Sequence, residues 1–101
     1  MPKGVELRKS EIHGHGLFAT QTIEANRDLG VTHVADSRFS DGYIRTALGS
    51  YVNHSKQPNI KGVREGDTYH FVTINEIAKG EELLVDYIDF NYDENVLKNY
   101  I

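Results

Sequence analysis

The sequence predicts a mainly β single domain with two short helical segments, and three observations support that reading. β-Branched and aromatic residues come in short runs, Tyr69-His70-Phe71-Val72-Thr73-Ile74 being the richest, and glycine, asparagine and proline punctuate them as turn residues. Only two segments suit a helix, and both are marginal on their own. The 101 residues make one domain of ordinary size, spanning the whole chain, with no room for a second core. Folds that alternate strands with long helices are disfavoured.

The elements follow in order. Val5 to Lys9 and Leu17 to Thr20 read as short strands. Leu29 to Val34 follows a turn at Glu24-Ala25-Asn26-Arg27, where Asn26 can take a left-handed conformation. Asp41 is placed to cap a helical turn running through Tyr43, Ile44, Ala47 and Leu48 to Gly49. Asn59 to Val63 and Thr68 to Asn75 flank Arg64-Glu65-Gly66-Asp67, a connection of hairpin length. Glu82 to Tyr87, after Lys79-Gly80, is the last strand, and Asp93 can open a C-terminal helix pairing Val96 with Tyr100 and Leu97 with Ile101.

Composition narrows the function classes. With 39% hydrophobic and 26% charged residues the chain has an ordinary globular balance, which excludes wholesale disorder. It has no cysteine, so neither a disulfide nor a thiolate zinc site can supplement the packed core. Fifteen acids against eleven bases give a formal charge of −4, the wrong sign for affinity based on phosphate neutralisation, so no direct contact with nucleic acid is expected. No run approaches the ~20 apolar residues of a membrane span, and the first residues lack the apolar stretch of a signal peptide. A cytoplasmic protein without a membrane segment is the expectation. Glu81, Glu82, Asp86, Asp89, Asp93 and Glu94 fall in one stretch free of lysine and arginine, which is either a solvated surface or an attraction for a basic partner.

Three segments carry chemical signals. Gly14-His15-Gly16-Leu17-Phe18-Ala19 satisfies the glycine spacing of a dinucleotide-binding turn, but Lys9-Ser10-Glu11 precedes it and Thr20-Gln21-Thr22-Ile23 follows it, where that turn needs a buried strand and then a helix. What survives is that two glycines let the backbone pass close to a ligand or to another strand. His13, His15 and His54 could make a metal site, yet no carboxylate is spaced to complete one, and no metal is expected. Tyr51 to Asn59 concentrates polar residues between apolar strands, with Asn53-His54-Ser55 and a turn at Pro58; a plain connecting loop is the alternative. Glu81-Glu82-Leu83-Leu84-Val85-Asp86-Tyr87 could be no more than an amphipathic final strand.

Taken together, Gly14-His15-Gly16-Leu17-Phe18-Ala19, Asn53-His54-Ser55 with Pro58-Asn59, and Gly80-Glu81-Glu82-Leu83 with Asp86-Tyr87 resemble the SET domain of protein lysine methyltransferases. The likeness spans about residues 5 to 92, as in minimal viral and bacterial forms, and leaves residues 93 to 101 as a closing segment. It implies a β-clip with knot-like threading of the C-terminal segment, S-adenosylmethionine as cofactor, and a basic, lysine-containing protein or peptide as substrate. By position, the backbone of Gly14, His15, Gly16 and Leu17 would lie along the cofactor. Asn53 and the His54 backbone would hold its amino-acid and adenine parts, and Ser50 and Tyr51 would touch it. Tyr87 matches the family's catalytic tyrosine, Val85 and Phe90 belong to the lysine channel, and Tyr92 or Phe90 could cover the adenine. Zinc-bearing flanks like those of larger relatives are not expected, and Lys56 stands where those relatives carry a cysteine. A SET-like module that binds a basic peptide or the cofactor without turnover is the alternative.

Overall fold

The computed structural model describes residues 1–40 and 42–90. The proposed Asp41 cap, Tyr92, the helix at 93–101 and the C-terminal threading lie outside the described residues.

Two four-stranded sheets make up the described structure. The first has the order β1 (Val5–Lys9), β2 (His15–Ala19), β8 (Glu82–Val85), β5 (Asn53–His54). The second runs β4 (Tyr43–Arg45), β3 (Asp28–Ala35), β7 (Thr68–Thr73), β6 (Ile60–Glu65). All neighbours are antiparallel except β5 and β8, which pair in parallel through Asn53 with Leu84 and His54 with Val85. Alternation sets the faces: on β7, Tyr69, Phe71 and Thr73 are buried while Thr68, His70 and Val72 are only partly covered. Leu17, Ala19, Leu83 and Val85 of the first sheet join Leu29, Ile60, Tyr69 and Phe71 of the second in a single hydrophobic cluster. The two sheets therefore share one core. Asn26 does take the left-handed conformation, at φ 59°, and its turn is tied to β7 by a bond from its N–H to the Thr73 carbonyl at 2.9 Å.

The helical turn is shorter than its sequence suggests. Tyr43–Arg45 is a strand, paired with β3 through Ala35 and Tyr43, Val34 and Ile44, and His33 and Arg45. Tertiary packing overrides local preference here, because Tyr43 meets His33 and Tyr69 edge to face, each with ring centroids 5.6 Å apart. Of the stretch from Tyr43 to Gly49 only the part in α1 (Ala47–Ser50) is helical, and the N-cap of α1 is Thr46. Thr46 Oγ1 accepts from the Gly49 N–H and donates to the Val31 carbonyl at 2.8 Å, which fixes α1 against β3. Thr46→Ala should therefore lower stability by about 0.5–2 kcal/mol, a fall in Tm of several degrees in a thermal melt.

β8 ends at Val85, and Tyr87 opens a 3₁₀ turn, Tyr87–Phe90, instead of closing the strand. Two carboxylates hold that turn: Asp86 Oδ1 accepts from the Ile88 N–H at 3.1 Å, and Asp89 Oδ2 accepts from Gly62 of β6 at 3.0 Å. The Asn-rich segment is no loose loop either. Beyond the β5 pairing, Ser55 N–H bonds the Val85 carbonyl at 3.0 Å, and the Asn59 side chain bonds β8 on both sides, donating to Glu82 O at 2.9 Å and accepting from Leu84 N at 2.8 Å. A carboxamide carries the donor and acceptor of a peptide group, so Asn59 acts as a piece of strand.

Candidate active site

Three chain segments meet at one cavity of about 280 Å³. The first is the turn between β1 and β2, closed by the Ser10 N–H on the Gly14 carbonyl at 2.7 Å. Gly14 has φ +47°, and a side chain there would meet open space, so backbone sign and not room is what calls for glycine. The second is the exit from α1 into β5, and the third is the start of the 3₁₀ turn. Of the residues singled out from sequence, Gly14, His15, Ser50, Tyr51, Asn53 and Tyr87 line this cavity, joined by His13 and Val52. Gly16, Leu17, His54 and Val85 do not. Leu17 and Val85 are fully buried in the core, and Phe90 is the last residue of the 3₁₀ turn.

Gly16 has a different reason to be glycine. A Cβ there would collide with Glu82 Oε2, with the carboxylate carbon at 2.9 Å and Asn53 Nδ2 at 3.0 Å. The close approach allowed by the second glycine is thus to a carboxylate of the neighbouring strand. Asn53 is 5% exposed, and its Nδ2 donates to Glu82 Oε2 at 2.7 Å and to the carbonyls of His13 and His15 at 3.2 Å each. Its carboxamide oxygen is what it can offer to the cavity.

Tyr87 is held from both ends. Its hydroxyl donates to the Val52 carbonyl at 2.7 Å, and its backbone N–H donates to His54 Nδ1 at 3.0 Å. The His54 ring also lies against the Tyr87 ring, with centroids 4.9 Å apart. Accepting at Nδ1 leaves the imidazole proton on Nε2, which is buried with no hydrogen-bond partner among the described residues. The imidazole was not foreseen as a support for the tyrosine, because nothing in the linear sequence indicates where a ring nitrogen will point. His13 and Val52 were missed as cavity residues for a similar reason. Among the described residues no group of three or more His, Cys, Asp or Glu side chains could hold a metal ion.

Residues 31–88, more than half of the chain, match the SET domain family. The chain belongs to that family. A SET domain-containing protein of Acanthamoeba polyphaga mimivirus is 27% identical over 97 residues, covering 93% of this chain and 38% of the viral protein. A potential protein lysine methyltransferase of Saccharomyces cerevisiae is 40% identical over 53 residues, covering 52% of this chain and 14% of the yeast protein. The chain thus spans well under half the length of either relative. The fold agrees with solved SET domain structures. The methyltransferase domain of human PR domain-containing protein 2 superposes with a TM-score of 0.65 at 22% identity, covering 84% of this chain and 77% of that one. Chaetomium thermophilum Polycomb Repressive Complex 2 gives 0.73 at 22% identity, over 98% of this chain and 17% of that one. At such identities the likeness is one of fold. The SET domain match also begins after β2, so the glycine turn is linked to the family motifs by its place at the cavity.

The residues present fit the cofactor that SET domains generally use. A concave site with the Asn53 carboxamide oxygen and the hydroxyl and ring of Tyr87 combines polar and apolar surface, as binding an adenosyl amino acid requires.

Proposed function

We propose that this protein is an S-adenosylmethionine-dependent methyltransferase acting on a lysine side-chain amine of a basic protein or peptide. The observation that carries the proposal is the meeting of the glycine turn, Asn53 and Tyr87 at one cavity. Family membership and the name of the yeast relative support it. The backbone of His13, Gly14 and His15 and the residues Ser50, Tyr51 and Asn53 would hold the cofactor, with Gly16 and Leu17 acting from behind that wall. When bound, the cofactor would supply an electrophilic methyl group on a sulfonium, open to in-line attack by an amine nitrogen at the methyl carbon with the neutral thioether as leaving group.

The protein's own task is alignment. A lysine amine is ordinarily protonated, with a pKa of about 10.4, so the site must favour and orient the neutral form. The Tyr87 hydroxyl hydrogen is committed to the Val52 carbonyl, so its oxygen meets any further partner as an acceptor. It can accept an amine N–H and a weak C–H contact, which restricts where the amine lone pair points. His54 and Val52 keep that oxygen in place.

Substrate attraction is the work of the acidic stretch from Glu81 to Glu94. Glu82, Asp86 and Asp89 are hydrogen-bonded within the fold, but bonds from neutral N–H and O–H groups do not cancel their charge. The KM for a lysine-rich peptide should rise with sodium chloride, since exposed charges are screened over ~8 Å at physiological ionic strength. A KM that stays flat between low and high salt would make these acids ordinary surface. The functional reading itself is tested by incubating the protein with methyl-labelled S-adenosylmethionine and a cell lysate. Label on the lysine of a basic protein is expected, whereas cofactor binding with no labelled protein would favour a binding module.

A further inference from the structure

We propose that Glu82 is a positioning residue that acts through Asn53: it fixes the Asn53 carboxamide with its oxygen toward the cavity, and so equips the cavity to bind an ammonium group. The ligand side of this inference rests on the proposed function, in which the cavity receives an S-adenosyl amino acid.

Glu82 is the first residue of β8, and its carboxylate is a junction between distant parts of the chain. Ser10 Oγ, at the end of β1, lies 2.8 and 3.0 Å from its two oxygens, and Asn53 Nδ2 of β5 lies 2.7 Å from Oε2. Among the described residues the partners of the Asn53 nitrogen are all acceptors: this carboxylate and the carbonyls of His13 and His15. A carboxamide oxygen placed there would face three oxygens and no hydrogen. Only the NH₂ end fits, which leaves the oxygen for the cavity that Asn53 lines.

Two of these acceptors are backbone carbonyls that no side-chain substitution removes; Glu82, the nearest at 2.7 Å and the only one that is charged, is the one a substitution can change. Glutamine at this position has the same shape but no charge and only one acceptor end, so beside the two carbonyls it holds the NH₂ end less strongly and no longer places a negative charge behind the amide. The carboxylate also needs the space that Gly16 leaves, which explains why the second glycine of the turn lies behind the cavity. Its negative charge, one hydrogen bond removed from the ligand, favours a cation on the far side of the amide. An oxygen acceptor backed by a carboxylate suits an ammonium group and disfavours a carboxylate there.

The test uses two ligands that differ in the amino-acid part, S-adenosylhomocysteine and 5′-methylthioadenosine, in calorimetric titrations of wild type, Glu82→Gln, Asn53→Ala and the double variant. Glu82→Gln should weaken S-adenosylhomocysteine about tenfold or more and leave 5′-methylthioadenosine nearly unchanged. In the Asn53→Ala background it should add little. Equal losses for both ligands, or additive effects in the double variant, would overturn the inference. A ligand-free readout accompanies these titrations. The Asn53 carboxamide NH₂ signals should be protected from hydrogen exchange in wild type and exchange measurably faster in Glu82→Gln, where the two backbone carbonyls remain, while backbone amides of β8 stay protected. Ser10→Ala, which frees the carboxylate without touching β8, should partly reproduce that acceleration and serves if Glu82→Gln does not fold. Unchanged carboxamide exchange in the folded variants would overturn the positioning role. A wild type that binds neither ligand would contradict the functional reading, and the exchange measurement would still decide whether Glu82 orients Asn53.

Discussion

Replacing Tyr87 with phenylalanine is expected to lower the single-turnover rate of methyl transfer ten- to a thousandfold while cofactor affinity changes little. One orienting hydrogen bond realised mainly at the transition state corresponds to ~1.4–4 kcal/mol of barrier. The ring that lines the cavity and packs on His54 is kept, and so is the backbone N–H bond to His54 Nδ1, so the wall of the site should survive. The bond to the Val52 carbonyl is lost, which should lower stability by about 0.5–1.5 kcal/mol. Cofactor affinity, rate and thermal unfolding measured side by side separate these effects. A variant with wild-type turnover would reduce Tyr87 to a wall residue.

Asn53→Ala should weaken S-adenosylmethionine binding more than tenfold, because a hydrogen bond to a charged group is worth ~1.5–3 kcal/mol. The structure adds a second consequence. The substitution strips partners from the Glu82 carboxylate and from the His13 and His15 carbonyls, so the fold should also lose about 1–3 kcal/mol. Calorimetry and denaturant unfolding on the same preparation measure both. Unaltered cofactor affinity in a folded variant would remove Asn53 from the site.

Much of this architecture could be read from the sequence where side-chain chemistry and position coincide. β7 was legible because Tyr69 to Ile74 is rich in β-branched and aromatic residues, and the Asn26 turn because few other residues accept a positive φ. The Tyr43–Arg45 strand was not, since its pairing with β3 and its contacts with His33 and Tyr69 are long-range and leave no local pattern. Tyr87 was placed on the strand because Val85, Asp86 and Tyr87 continue it in sequence; the bond from Ile88 to Asp86 turns the backbone into a 3₁₀ helix instead. In the site, motif residues were found but not all of their duties. Gly16 accommodates Glu82, His54 supports Tyr87 through its ring, and Val52 holds the hydroxyl through a carbonyl that every residue possesses.

The central claim is that the cavity between the glycine turn, the α1 exit and Tyr87 is where S-adenosylmethionine binds. It is tested most directly by following backbone amide shifts during a titration with that compound. Perturbations should concentrate at His13, Gly14 and His15, at Ser50 through Asn53, and at Tyr87. A footprint at the separate concavity formed by Arg8, Lys9, Ile12 and Phe18, or at the one beside Lys3, Gln21 and Arg27, would contradict the claim, as would no footprint at saturating cofactor.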